Sequence, residues 1–283
     1  MQDPPRYLTT AEVAGLLRVR ERKVYDMAAA GEIPCRRVTG KLLFPRDELE
    51  RWLEGEAHGP LPEVVSGSHD PLLEWALRES GSGLATAFDG SLDGLERMAA
   101  HEACVAGCHV FEPETGEWNL GHVAARLGRA PVVVMEWARR QQGVLLAPGL
   151  GAGIRTPADL AGRVVARRQP SSGAGMLLDH LLGDTAPRFT AELARTETEA
   201  ATAVLSGAAE AAPGLAALAA QFRLDFLPTA TERFDLVVDR RSWFEPPFQR
   251  LLAFCRTPGF AARAASFGGY DISGLGTIRF NGP

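Results

Sequence analysis

The sequence contains little lysine, and its net charge is negative. Lys23 and Lys41 are the only lysines among 30 basic residues, so almost all positive charge comes from arginine. With the many alanines and the 30 glycines, this bias is typical of GC-rich coding rather than of a function. The formal net charge of −5 excludes a globally basic nucleic-acid-binding protein, so any contact with DNA must come from a local patch.

Cysteines and long apolar runs are also scarce. The four cysteines show no regular spacing, which is typical of reduced thiols in a cytosol. The first residues contain neither the basic nor the apolar region of a signal peptide, and runs such as 130–135 are far shorter than the ~20 residues of a membrane-spanning helix. We therefore expect a cytoplasmic protein, and its 283 residues are enough for about two or three domains.

The first fifty residues have the pattern of a small helical module. Thr9 followed by Glu12 is a capping-box signature, and apolar residues at helical spacing follow it. A second helix is predicted from about Arg20 to Ala30, with Gly31 as its C-terminal cap. Two short strands around Thr39–Gly40 predict a hairpin, or wing, and a closing helix begins near Pro45.

These motifs together resemble the winged helix-turn-helix of excisionase and MerR-type DNA-binding domains, over about residues 6–54. The likeness rests on Leu-Thr-x-x-Glu-x-Ala-x-x-Leu from Leu8, on Gly-Glu-Ile-Pro from Gly31, and on Pro-Arg-x-x-Leu-x-x-Trp-Leu from Pro45. It implies that the second helix enters the major groove while the wing contacts the backbone. The implied DNA-binding residues are Arg20, Arg22, Lys23 and Tyr25 on the helix, and Arg36, Arg37 and Lys41 on the wing.

Local charge favours DNA as the partner of this module. Residues 18–41 contain seven basic and three acidic side chains, within a chain that is acidic overall. The alternative is that these charges are solvated on a module that binds other proteins. We take residues 1–54 as the DNA-binding domain and 55–62, which are rich in Gly and Pro, as a linker.

Residues 63–283 alternate between strand-like and helix-like segments. This alternation predicts an α/β architecture with mostly parallel sheets, in which ligands bind beyond the carboxyl ends of strands. Gly- and Ser-rich loops precede helices near residues 67, 90 and 171, where free N–H groups favour an anion. Helix capping explains each serine alone better than an anion does, and the recurrence at three strand-to-helix joints is what favours the anion. No Walker-type motif or full G-x-G-x-x-G follows a strand, which disfavours nucleotide binding.

The larger domain resembles the periplasmic-binding-protein-like domain of molybdate-responsive regulators and of proteins of molybdopterin biosynthesis. The matching blocks include Ser66-Gly67-Ser68-His69-Asp70, Ala106-Gly107-Cys108-His109 and Arg139-Arg140-Gln141-Gln142-Gly143. The resemblance implies a type II fold of two α/β lobes with a ligand between them. The pocket residues that it implies, or that adjoin its motifs, are Ser68, His69, Ser91, His109, Ser171 and Ser172.

One departure from that family bears on the ligand. The family usually has Gly-Ser-Gly-Thr-Arg where this chain has Ser171-Ser172-Gly173-Ala174-Gly175-Met176. A threonine hydroxyl and an arginine charge are therefore missing or displaced. This favours a ligand less charged than a divalent oxyanion, such as a small carboxylate.

Other clusters of reactive residues have plainer explanations. His101, Cys104, Cys108 and His109 invite a zinc site, but the tight pairs that zinc prefers are missing, and we favour structural cysteines. Glu232 and Asp235 beside Arg233 are expected to form ion pairs in a hinge strand. We expect no catalytic residue, no metal and no cofactor.

The sequence thus predicts a ligand-responsive regulator of transcription. Its partners would be an operator in double-stranded DNA and a small anion, with molybdate or tungstate first and a formate-like carboxylate close behind. A single helix-turn-helix offers little base-reading surface, so we expect a homodimer or larger homo-oligomer. The alternatives are an accessory protein or enzyme of molybdenum-cofactor metabolism, a transport-linked binding protein, and a thiol sensor using Cys104 and Cys108.

Overall fold

A computed structural model describes residues 6–38, 40–53 and 60–282. The chain divides into two compact units, residues 1–61 and 62–283. The expected linker at 55–62 lies mostly outside the described residues, as does Thr39 of the expected wing turn. Within the described ranges, no helix has both the length and the apolar character needed to cross a membrane.

The N-terminal unit is a winged helix-turn-helix. Its elements in chain order are β1 (Tyr7–Thr9), α1 (Thr10–Leu17), α2 (Glu21–Ala29), β2 (Arg36–Val38), β3 (Lys41–Pro45) and α3 (Arg46–Leu53). The three strands form an antiparallel sheet in the order β1-β3-β2. Thr9 and Glu12 form the expected capping box, with the backbone N of Thr9 2.7 Å from Oε2 of Glu12.

The module differs from its sequence-based description in two details. Strand β1, which pairs with β3, is too short to show a period-2 pattern in the sequence. Helix α2 begins at Glu21 rather than at Arg20, because Arg20 has extended backbone angles and is the N-cap. The side chain of Arg20 makes no capping hydrogen bond. The helices and sheet share one small core of Leu8, Val13, Ala14, Val24, Ile33, Phe44 and Leu49.

The larger unit is an α/β fold. Its first part contains β4 (Val64–Gly67), α4 (Pro71–Glu79), β5 (Ala85–Ala87), α5 (Ser91–Ala99), β6 (Val105–Cys108), β7 (Phe111–Glu112), β8 (Glu117–Trp118), α6 (Leu120–Leu127) and β9 (Val132–Leu146). After a short 3-10 helix at Pro157–Leu160 come β10 (Val164–Arg168), α7 (Gly173–Leu182), β11 (Arg188–Ala194), α8 (Glu197–Leu205), β12 (Ala211–Leu215), α9 (Ala216–Phe222) and β13 (Asp225–Asp239). The chain continues through α10 (Arg240–Trp243), α11 (Pro246–Cys255), α12 (Pro258–Phe267), β14 (Tyr270–Asp271) and β15 (Ile278–Asn281).

Two long antiparallel strands, β9 and β13, join the two lobes of this unit. Both are 15 residues long, and they pair from Asp225 opposite Leu146 to Asp239 opposite Val132. The segments 132–135 and 143–147 look like separate strands in the sequence, but β9 runs without a break from Val132 to Leu146, because its polar middle is also extended and paired. The sheet is therefore mixed rather than mostly parallel, with the order β11-β10-β12-β9-β13-β6-β4-β5.

Each lobe has its own core around a parallel part of the sheet. In lobe 1, β5, β4 and β6 are parallel, and apolar residues of α5, α6 and β6 pack together, among them Leu95, Met98 and Val123. In lobe 2, β11, β10 and β12 are parallel, with α7 and α8 packed on their faces. The carboxyl ends of the parallel strands carry the loops that approach the other lobe.

Candidate functional site

Three predicted pocket residues meet where β4 and β6 end in lobe 1. Ser68 follows β4, His109 follows β6, and Ser91 begins α5. At most 1% of each of these residues is exposed. The backbone N–H of His109 donates to Ser91 Oγ at 3.3 Å, so the two loops are held together.

His109 connects Ser68 to a carboxylate of strand β13. Its Nε2 lies 2.7 Å from Ser68 Oγ, and its Nδ1 lies 2.7 Å from Oε2 of Glu232. The imidazole also stacks on Phe234, with ring centroids 5.7 Å apart. Ser68, His109 and Glu232 thus form one buried hydrogen-bond chain, which we call the relay.

Arg140 of β9 extends this network across the hinge strands. Its Nη1 lies 2.8 Å from Oδ2 of Asp70, its Nη2 contacts Oε1 of Glu232, and its guanidinium carbon lies 4.3 Å from the centroid of Phe234. Burial opposes the charge on Arg140, but Glu232 and Asp70 overcome this and raise its pKa. Burial likewise opposes ionisation of Glu232, yet Arg140 and then His109 hold its pKa below the ordinary value. Both groups are therefore ionised at neutral pH.

Asp70 connects the start of α4 to β9 and the C-terminal segment. One of its carboxylate oxygens accepts the Leu73 N–H at 2.6 Å and Trp137 Nε1–H at 3.1 Å. The other accepts from Arg140 and from the Tyr270 hydroxyl at 2.6 Å. Burial of the phenol and the neighbouring Asp70 raise the pKa of Tyr270 well above its usual range. Sequence reasoning missed Arg140, Trp137 and Tyr270 as parts of the site, since only tertiary contacts bring them to Asp70.

Lobe 2 brings a second buried ion pair to the facing edge. Arg168 is the last residue of β10 and Glu197 the first of α8, and Arg168 Nη1 lies 2.9 Å from Oε1 of Glu197. Both side chains are at most 1% exposed. Glu197 raises the pKa of Arg140, after the larger effects of Glu232, Asp70 and Tyr270, so charges of the two lobes act on each other. A buried arginine and glutamate at strand and helix ends were not predicted from the sequence.

The remaining predicted residues have different surroundings. Ser172 Oγ caps α7 by accepting the N–H of Gly175 at 3.3 Å, and Ser172 is fully buried. Ser171 Oγ donates to Oδ2 of Asp93 at 2.5 Å, so this hydroxyl already holds the lobes together. His69 Nε2 lies 3.1 Å from Oε2 of Glu74, and its buried Nδ1 has no hydrogen-bond partner.

The two lobes approach each other closely along these loops. The N–H of Leu92 donates to the carbonyl of Ser171 at 3.2 Å. Gly90, with a φ of +123°, faces Ser171, and an added Cβ would lie 2.7 Å from Ser171 Oγ. A Cβ on Gly173 would lie 2.4 Å from the carbonyl oxygen of His109. Glycine is needed at both points for the lobes to close to this distance.

Several buried donors between the lobes lack a hydrogen-bond acceptor. Among the described residues these include Arg140 Nε, Gln142 Nε2 and Arg168 Nε, and the acceptors Glu197 Oε2 and Gln169 Oε1 lack a hydrogen-bond partner as well. Burying an amide or guanidinium N–H without a partner is costly, so such groups are typical of sites that a ligand or water completes. Arg140 and Gln142 belong to the hinge strand β9, and Arg168 to lobe 2. The hinge strand and lobe 2 therefore both carry buried donors without a partner, and lobe 2 carries such acceptors too.

The N-terminal unit presents the expected DNA-binding side chains at its surface. Arg20, Arg22, Lys23 and Tyr25 are exposed at the start of α2, as are Arg37 and Lys41 on the wing. Arg36 is exposed too, but its Nη2 lies 2.8 Å from Oε1 of Glu48, so part of its charge is already balanced.

The cysteines of the larger unit are buried in apolar surroundings. Cys104 Sγ contacts the carbonyl of Val64 and Cys108 Sγ that of Ser91, and burial raises the pKa of both thiols. A thiol with a raised pKa forms little thiolate, which disfavours the thiol-sensor alternative. Within the described residues, no group of three or more His, Cys, Asp or Glu side chains is placed to hold a metal ion.

Comparison with known proteins agrees with this two-part architecture. The model of the PBP superfamily domain matches residues 74–256, and that of a helix-turn-helix domain matches residues 7–57. The chain therefore belongs to the PBP superfamily and carries an N-terminal helix-turn-helix domain, which suggests DNA binding, beside a domain type that binds small ligands.

Individual similar proteins do not show which ligand this chain binds. The uncharacterized protein YvgK of Bacillus subtilis (strain 168) is 26% identical over 302 aligned positions, which cover 95% of this chain and 96% of YvgK. An uncharacterized protein encoded in the 5′ region of a ferredoxin 2Fe-2S gene of Clostridium pasteurianum is 32% identical over 79 residues, or 28% of this chain and 70% of that protein. An ABC-transporter substrate-binding protein from Clostridium perfringens with bound phosphate has a TM-score of 0.52 at 12% identity, covering 72% of this chain and 96% of that one. At this identity the last likeness shows the fold alone.

Proposed function

We propose that this protein is a one-component regulator whose DNA binding responds to a small anion held between its two lobes. Residues 1–54 would form the DNA-binding domain and residues 63–283 the effector domain. The anion would be a molybdate- or tungstate-like oxyanion or a formate-like carboxylate. The observation that carries the proposal is the set of buried, unpartnered donors on Arg140, Gln142 and Arg168.

Lobe closure gives this arrangement a way to signal. A ligand that binds only the closed form shifts the equilibrium towards it, by as much as its affinity differs between the two forms. Closure would change how the helix-turn-helix modules of two or more subunits are spaced on an operator. This supports the expected homo-oligomer, because one module reads few bases.

Thermal unfolding in the presence of anions tests the proposal. The panel is molybdate, tungstate, sulfate, phosphate, formate and short organic acids, each with the full-length protein. An anion at one hundred times its Kd should stabilise the protein by about 2.7 kcal/mol. The same anion should also change the affinity for operator DNA. The proposal is overturned if no anion stabilises the protein, or if the stabilising anion leaves DNA binding unchanged.

A pair of serine variants separates loss of binding at the site from the general effect of removing a hydroxyl. Ser172→Ala removes a buried hydroxyl at the facing edge of lobe 2, whereas Ser206→Ala removes an exposed one at the end of α8. We expect only Ser172→Ala to weaken binding of the anion.

The relay favours a second candidate function. Its connectivity is that of a serine nucleophile, a histidine base and the acid that orients the base. A fluorophosphonate probe tests this role. Ser68 Oγ would bond to its phosphorus and displace fluoride, while the serine proton passes to His109 Nε2. Labelling of the wild type but not of Ser68→Ala would favour this role; an unlabelled protein would leave the relay to ligand binding.

A further inference from the structure

The cleft between the lobes carries an excess of buried acid. Asp70, Glu197 and Glu232 supply three carboxylates, while Arg140 and Arg168 supply two guanidinium groups. All five side chains are at most 1% exposed. With a neutral His109 these groups sum to one negative charge.

This charge limits what the cleft accepts. Placing net charge in a buried site is costly unless it is paired, and each added anion makes the cleft more negative. A singly charged anion that arrives with one proton leaves the total unchanged. A divalent oxyanion with one proton does not.

The hydrogen bonds of His109 show where the proton would go. Glu232 is ionised and only accepts, so Nδ1 carries the hydrogen and Nε2 of a neutral imidazole is an acceptor. Ser68 must then donate its only O–H to Nε2. When the ring is protonated, Nε2 donates to Ser68 Oγ instead, and the hydroxyl hydrogen of Ser68 is free to bind an anion.

Side chains of lobe 1 and the hinge, and one backbone segment of lobe 2, surround His109. Glu232 and Phe234 face it from β13, Ser68 from the end of β4, Ser91 from α5 and the backbone of Gly173 from α7.

The nearby charges act on the imidazolium with opposite signs. Glu232 favours it, whereas Arg140, which is paired with Glu232 and Asp70, opposes it. Asp235, in register with Cys108, is engaged by Arg233 and Asn119. The pair of Arg168 and Glu197 adds no net charge from lobe 2. An arriving negative charge therefore tips the balance towards proton uptake.

We propose that the ligand of this cleft is a singly charged anion of the carboxylate type, and that it binds together with one proton held by His109. This proposal rests on the proposed anion site. It adds the charge of the anion and the dependence of its binding on pH. It makes His109 a specificity-determining residue, because only its protonated form releases the Ser68 hydroxyl as a donor.

Isothermal titration calorimetry of the full-length protein tests this, with formate and acetate as monoanionic probes and molybdate and sulfate as dianionic ones. Titrations in buffers of different ionisation enthalpy count the protons taken up. We expect a monoanion to bind with uptake of about one proton, so its affinity should fall as the pH rises. The dianions should bind more weakly.

Two variants locate the proton. His109→Gln should abolish the uptake, whereas His180→Gln, which changes an exposed histidine of α7, should keep it. Ser68→Ala keeps the imidazole but loses the hydroxyl donor, so the affinity for the monoanion should fall at least tenfold. This smaller change tests the proposal even if His109→Gln fails to fold.

The possible failures are distinguishable. Tighter binding of a dianion, or monoanion binding without proton uptake, would overturn this inference and leave the proposed anion site intact. Proton uptake that persists in His109→Gln would also overturn it. Binding of neither class of anion would overturn the inference and the proposed function together.

Discussion

Gly173 at the start of α7 lies so close to His109 that a Cβ at position 173 would be 2.4 Å from the His109 carbonyl oxygen. The two residues belong to different lobes, so the lobe closure that we propose depends on glycine at position 173. A side chain at position 173 is compatible with the helix but not with closure.

Gly173→Ala therefore separates folding from closure. Alanine is compatible with the first residue of a helix, so the free protein should keep its helical content by circular dichroism. Affinity for the anion should fall at least tenfold by calorimetry, because the closed form is obstructed. The control is Gly259→Ala in α12, where the added Cβ would meet only Thr257 Oγ1 at 3.9 Å. Equal affinities of the two variants would contradict the closure model.

Arg140 should be critical for stability. Arg140→Met leaves Asp70 and Glu232 buried without their shared counter-charge, which should lower the free energy of unfolding by about 3–5 kcal/mol. Its neighbour Arg139 has a side chain that is 53% exposed and pairs with Glu136, so Arg139→Met should cost only about 0–1 kcal/mol. Urea denaturation monitored by tryptophan fluorescence compares the two, and similar losses would refute the assignment.

Asp235 should give the protein an unusual dependence of stability on pH. Burial raises its pKa to about 6, against the opposing effects of Arg233 and Asn119. The native state then holds a proton that the unfolded state has released between about pH 4 and 6, so stability is lost as the pH rises through this window.

The comparison with Asp235→Asn isolates this effect. Relative to that variant, the wild type should lose about 1–3 kcal/mol of unfolding free energy from pH 4 to pH 6. Asp271→Asn is the control of opposite sign. The backbone N–H of Ser273 lowers the pKa of Asp271, so its contribution to stability disappears as the pH falls. A flat difference between wild type and Asp235→Asn would be evidence against the raised pKa.

Arg22 and Arg36 should differ in their effect on DNA binding. Arg22 is exposed at the start of α2, and Arg22→Ala should weaken specific binding by ~1–3 kcal/mol if it contacts a base. Arg36 is already paired with Glu48, so Arg36→Ala should cost less. Fluorescence anisotropy on an operator selected by the wild type measures both. An unchanged affinity of Arg22→Ala would remove it from the interface.

Most of the fold could be predicted from local patterns. The capping box of Thr9 and Glu12 depends on a few neighbouring residues, and it occurs as expected. The winged helix-turn-helix and the two-lobed fold were implied by the resemblance of sequence motifs to known families. The continuity of β9 was not predictable, because its polar middle lacks the alternating pattern of a strand. That segment is extended because it pairs with β13.

The candidate site was predictable only in part. Ser68, Ser91 and His109 lie beside matched motifs, and the fold brings them together at one edge of lobe 1. Whether these residues bind a ligand stays a prediction. Arg140, Glu232 and Tyr270 lie up to 200 positions from Asp70 along the chain, so no spacing rule connects them.

The sequence by itself determined helices such as α1 together with their caps, because caps, turns and apolar periods act over a few residues. Only the tertiary structure decided the charge of the cleft. Arg140 and Arg168, like the three carboxylates, look in the sequence like ordinary surface charges, of which an arginine-rich and acidic chain has many. Burial makes them different, since charges removed from water must balance each other, and that balance depends on contacts between distant segments.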